Sequence, residues 1–176
     1  MNPEAGQGWA AAGAPPRNRA SRKKGQETFN AYLSLNVKEA RLAWRYTAQT
    51  NQHETRAHLE ERLAAHARQG HRLLLVPWDP ATWHRAHALF GWIRDHNREV
   101  QRSGVGVKLV PVELPKGAFW LNRVDAIIRQ TKGRVLPCRQ FASQAEQRTA
   151  LDRHWLHHNL RCAHAPKPED FFVHLH

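Results

Sequence analysis

The chain has 176 residues, 41% of them hydrophobic and seven of them tryptophan, which suffices for one domain around a single core. A mean hydropathy of -0.71 with no long apolar run excludes a membrane-spanning helix. Lys and Arg total 27 against 15 Asp and Glu, a formal charge of +12, so a polyanion such as nucleic acid is the expected partner, ahead of a solvated basic surface with none.

Residues 1–27 are rich in Gly, Ala and Pro and then turn basic (Arg17, Arg19, Arg22, Lys23, Lys24), which predicts an irregular basic arm. They carry no apolar stretch of the export-signal kind. Two cysteines, Cys138 and Cys162, are too few for a disulfide framework and fit a reducing cytosol. In FNAYLSLNV, Phe29, Ala31, Leu33, Leu35 and Val37 alternate with polar residues, the period of a half-buried strand. After a polar break at residues 38–40, Leu42, Trp44, Tyr46 and Ala48 alternate again, and the two runs predict an antiparallel hairpin.

At Asn51 the period changes. Asn51 as cap, Glu54 three residues on and a stripe of Leu59, Leu63, Ala64 and Ala67 predict a helix that Gly70 stops. LLLV at residues 73–76 is apolar on both faces and predicts a covered central strand ending at Asp79. Trp83, Ala86, Leu89, Phe90, Ile93 and Asn97 then mark an amphipathic helix that stops before Gly104 and Gly106. VKLVPVEL predicts a short strand, with Pro111 favouring an edge or a bulge. A helix follows over residues 120–135, with Leu121, Val124, Ile127 and Ile128 on its apolar side. Ser143 and Glu146 form a capping box for a last helix carrying Leu151 and Trp155. The fold class is therefore α/β, with a mixed sheet in which an antiparallel hairpin precedes helix-connected strands, flanked by helices.

Two carboxylates stand out, Asp79 at the carboxyl end of the central strand and Asp125 on the helix that begins WLN. Ligands of open α/β sheets bind beyond the carboxyl ends of the strands. Two acids converging there on a basic protein suit Mg²⁺, which prefers oxygen ligands. Read as structure alone, Asp79 caps the helix after Pro80 and Asp125 pairs with Arg129 one turn on. His84, one turn beyond Asp79, is placed to approach a phosphate or orient a metal ligand, although such a residue more often simply hydrogen-bonds a neighbour. Arg129, Lys132 and Arg134 suit phosphate contacts or a solvated helix face. The run His154, His157, His158, Cys162, His164 allows a zinc site but matches no familiar ligand pattern, and reads better as a polar helix end. Trp83, Trp92 and Trp120 fall on or beside apolar stripes, which favours core over base stacking.

The stretch "WDPATWH…FGWIRDHNREVQRSGVGVKLVPVELPKGAFWLNRVD" resembles the catalytic core of bacterial mariner-type insertion-sequence transposases, which are DDE superfamily endonucleases. Trp78, Asp79, Ala81, Trp83, His84, His96, Asn97, Leu114, Pro115, Trp120, Leu121 and Asn122 fall on that family's motif positions. The resemblance implies an RNase H-like core over residues 28–160, with residues 161–176 as a tail. It further implies cleavage and strand transfer on DNA, dependent on Mg²⁺ or Mn²⁺. Asp79 then stands for the family's second acid and Asp125 for its third, both catalytic and metal-binding. His84, Lys116, Asn122, Arg129, Lys132 and Arg134 become the DNA-binding candidates. Arg123 stands where the family has proline, and the family's first acid would fall before Met1. The resemblance thus leads to the expectation of a truncated, impaired transposase of the bacterial cytoplasm and nucleoid, with a homodimer left open. A non-catalytic DNA-binding remnant is the alternative.

Overall fold

The computed structural model describes residues 28–78, 86–115, 117, 121–136 and 141–164. The element order is β1 (Asn30–Asn36), β2 (Arg41–Thr47), α1 (Gln52–Arg68), β3 (Leu73–Trp78), α2 (His87–Ser103), β4 (Lys108–Glu113), α3 (Arg123–Arg134) and α4 (Gln144–His164). The chain is mixed α/β, compatible with an RNase H-like fold. Among the described residues the strands hydrogen-bond as two pairs, β1 with β2 antiparallel and β3 with β4 parallel.

The hairpin forms where the alternation places it, with Leu35 opposite Leu42 and Leu33 opposite Trp44. Asn36 closes it, its side chain accepting from the Lys38 and Glu39 amides. Val37, expected to face inward, lies outside the strand and is exposed, because the turn begins there. Phe29 and Leu42 bury against Val135, Leu136, Phe141, Leu151 and Trp155, with Val124 and Ile127 packed on the rim. Trp155, at 0% exposure, is the centre of this cluster. Its Nε1 donates to Thr131 Oγ1 at 3.0 Å, and Thr131 in turn donates to the Ile127 carbonyl at 2.8 Å. The Asp152 carboxylate joins α4 to the hairpin, accepting from Trp44 Nε1 at 2.7 Å and the Tyr46 hydroxyl at 2.8 Å. Burial and that acceptor hold the Tyr46 phenol well above its ordinary pKa.

A second cluster, Leu59, Leu63, Trp78, Leu89, Ile93, Val107 and Leu109, binds α1 and α2 to the parallel pair. Asn51 caps α1 by accepting from the Glu54 amide at 2.9 Å. The buried side of α1 is Thr55, His58, Leu59 and Leu63, whereas Ala64 and Ala67, expected on the stripe, are exposed. The helix packs against β2 and α2. The LLLV strand is covered on one face only: Leu73 is 53% and Leu75 58% exposed, while Leu74 and Val76 pack inward. Among the described residues, helices reach just one side of this pair, so the expected cover on both faces is not found and Leu73 and Leu75 stay exposed. Leu121, expected on the apolar side of α3, precedes that helix and is exposed. Ser143 caps α4 as expected, although the Glu146 carboxylate returns to the Ala142 amide, one residue earlier than in the usual box. The helix runs on to His164.

Each strand pair is held at one outer edge by an asparagine. Asn97 on α2 donates to the Leu109 carbonyl and accepts from its amide, both at 2.8 Å. Asn159 on α4 does the same to Leu42, at 2.9 and 2.7 Å. A side-chain amide presents the same donor and acceptor as a neighbouring strand would, so each edge is satisfied without a further strand. His96 adds a bond to the Val107 carbonyl at 2.9 Å. Gly104 ends α2 in the left-handed region at φ 68, and Gly106, at φ 109, leaves 3.1 Å between a built Cβ and Val100 Cγ2. The His-Asn pair and the two glycines therefore form one device that turns α2 back along β4.

Because Leu109 and Leu42 are buried, removing either clamp leaves two unpaired backbone groups. Asn97→Ala and Asn159→Ala should each lower unfolding stability by about 2–3 kcal/mol, read as a lower urea midpoint with an unchanged slope. Beside the hairpin, His58 is buried with no hydrogen-bond partner on either ring nitrogen among the described residues. Burial first, then the Arg62 and Arg45 charges, lower its pKa to about 4. The unfolded chain then binds the proton more readily, so its contribution is complete above about pH 6.5 and is lost as pH falls toward about 4. That loss amounts to roughly 3 kcal/mol, and thermal melts of His58→Leu should show a clearly shallower decline over this window than the parent.

Candidate functional site

The carboxyl end of β3 is fixed by aromatic packing and by its parallel neighbour. Trp78, the last residue of the strand, is buried and meets Phe90 edge-on, with ring centroids 6.0 Å apart. Its register partner is Glu113, and its carbonyl accepts from the Leu114 amide at 3.1 Å. The chain therefore leaves β3 level with the end of β4. Asp79, the residue that follows, lies outside the described residues, as do Ala81, Trp83, His84, Lys116 and Trp120. Glu113 is a further carboxylate at this level, which the sequence analysis passed over. Only the parallel register, set by residues far apart in the chain, makes it a neighbour of the β3 terminus.

Asp125 sits in the first turn of α3, half-buried, with its amide donating to the Asn122 carbonyl at 3.0 Å. A carboxylate there is favoured by the partial positive charge of the helix start. Asn122 occupies the cap position, yet its side chain makes no capping bond. Val124 and Ile127 pack on the hairpin cluster, so α3 is anchored to β1 and β2. Arg129, Lys132 and Arg134 are exposed together on the second half of α3, which gathers three of the predicted phosphate-binding cations on one helix. Trp92 packs against the second cluster, stacks on His96 and receives the Arg56 guanidinium at 5.2 Å, a structural role as expected.

Within the histidine run on α4, His158 is integrated into the fold. His158 Nε2 lies 3.0 Å from the Ala40 carbonyl, which it satisfies as a donor, and the Cys162 sulfur is 3.5 Å from the same nitrogen. Burial, followed by the Arg134 charge and its neighbours His158 and His157, pushes the His154 pKa down. Among the described residues, no group of three or more His, Cys, Asp or Glu is arranged to hold a metal ion. No helix among them is long and apolar enough to cross a membrane.

The family described as DDE superfamily endonuclease matches residues 2–148, most of the chain and a span that includes both candidate acids. No curated protein and no solved structure matches it.

Proposed function

The chain belongs to the DDE superfamily of endonucleases, and from that membership we propose a transposase-type nuclease core that acts on DNA phosphodiesters with a divalent cation. The observation that carries this reading is the family match over residues 2–148, within which Asp79 follows the buried end of β3 and Asp125 opens α3. The motif residues shared with mariner-type insertion-sequence transposases support the finer assignment to that branch. The donor chemistry fits as well: two carboxylates are hard oxygen ligands of the kind Mg²⁺ and Mn²⁺ take. Asp79 and Asp125 would hold the cation, which when bound stabilises charge on the phosphate oxygens.

The remaining residues bind and position. Arg129, Lys132 and Arg134 would neutralise backbone phosphates, and the overall charge of +12 would draw DNA to the protein from a distance. His84, Lys116 and Asn122 flank the two acids in sequence and would set the register of the strand. The polarity of α3 suits this division, with its acid at the start and its cations toward the end. The excess of basic residues also supports a second reading, a DNA-binding protein without catalysis, since phosphate contacts need no cation.

Two measurements separate these readings. Supercoiled DNA incubated with Mg²⁺ or Mn²⁺ should be nicked by the parent chain. Asp79→Ala and Asp125→Ala should each slow nicking by roughly 100-fold, since losing about 3 kcal/mol of transition-state stabilisation has that effect. Equal rates in parent and variants would remove both acids from the reaction. Binding, in contrast, should survive these changes. In a salt series, Arg129→Ala and Arg134→Ala should each flatten the dependence of log affinity on log salt by about one unit.

A further inference from the structure

The last turn of α1 is closed by two backbone bonds, from the Gly70 amide to the Ala67 carbonyl at 3.0 Å and from the His71 amide to the His66 carbonyl at 3.1 Å. Gly70 sits in the left-handed region at φ 77. In this type of helix ending, the side chain three positions before the cap and the one two positions after it come side by side, a contact that is usually apolar. Here both are histidines. His66 Nδ1 and His71 Nδ1 are 3.0 Å apart, and the ring centroids are separated by 5.1 Å with the planes inclined at 52°.

The geometry points to a divalent transition-metal site, for an ion of the Zn²⁺, Ni²⁺ or Cu²⁺ class, chelated by the Nδ1 atoms of His66 and His71 at the C-terminus of α1. Metal–imidazole bonds of about 2.0–2.1 Å meet nitrogens at this separation with an angle of roughly 90° at the metal, so the pair fits adjacent coordination positions. Water would fill the rest, since His71 is exposed and His66 only partly buried. Imidazole selects these ions over Mg²⁺, which makes the site chemically independent of the two carboxylates proposed for DNA cleavage.

The surroundings favour a cation. The backbone turn fixes the spacing before any ion arrives, and the helix C-terminus carries partial negative charge. The Glu39 carboxylate, from the β1–β2 turn, acts on His66 in the attractive sense, opposing Arg62.

The test is a calorimetric titration of the full chain with Zn²⁺, and separately Ni²⁺, at pH 7.5 after treatment with a chelator. The parent should bind one equivalent that His66→Ala and His71→Ala each lose or weaken by roughly tenfold or more, while His154→Ala and His158→Ala retain it. Imidazole nitrogen resonances of His66 and His71 should shift with the same equivalent. Gly70→Ala, which leaves both ligands but strains the turn, should weaken binding too. Melting curves without metal confirm that the variants are folded, and His71→Gln serves if the alanine variant is not. Unchanged stoichiometry and affinity in both ligand variants, or an equivalent lost only on changing His154 or His158, would overturn the assignment.

Discussion

A two-stranded sheet does not hold itself together in water, and the described residues form two of them. Everything else depends on how helices stand in for the neighbouring strands. Asn97 and Asn159 supply one strand-like donor and acceptor each, to Leu109 and Leu42, and the helices that carry them supply the apolar cover. Around the hairpin that cover is Trp155 and Leu151, and around the parallel pair it is Leu89 and Ile93. The clamp to Leu42 spans 117 residues, so the hairpin reaches its native setting only once α4 has docked.

Polar groups inside the molecule serve the joints between elements. The Tyr32 hydroxyl gathers the start of α1, donating to the Asn51 carbonyl and accepting from the Asn51 amide, while Thr55 Oγ1 also reaches it. Arg45 on β2 pairs with Glu54 and Glu61 of α1, partly shielded from solvent, and ties hairpin to helix. Surface pairs such as Arg102 with Glu99 contribute little by comparison. Asp152 is also committed to structure, because both of its aromatic donors hold α4 against the hairpin. Arg129, Lys132 and Arg134, in contrast, are exposed on the second half of α3.

The family resemblance takes on a physical meaning at the His-Asn pair and the glycines after it. Those residues do not approach the candidate acids in function. They lock β4 to α2 and thereby fix the level at which both parallel strands end. Trp78 then sets the point of exit of the chain toward Asp79. The shared motif is thus in part a motif for setting where the two parallel strands end.

Features governed by near neighbours were legible in the sequence. The alternation of FNAYLSLNV and RLAWRYT, the caps at Asn51 and Ser143 and the stops at Gly70 and Gly104 all follow from contacts within about four residues. The candidate acids could be named too, because strand ends and motif spacing are local. Which faces are buried was another matter. LLLV has two apolar sides, and only the docking of helices on one of them decides that Leu73 and Leu75 stay exposed. The edge clamps, the level of Glu113 and the side on which α3 packs all depend on partners far along the chain, which no short-range pattern encodes. The meeting of His66 and His71 lies between these cases: the residues and the glycine are local, but the folded helix end alone brings the two rings to bonding distance.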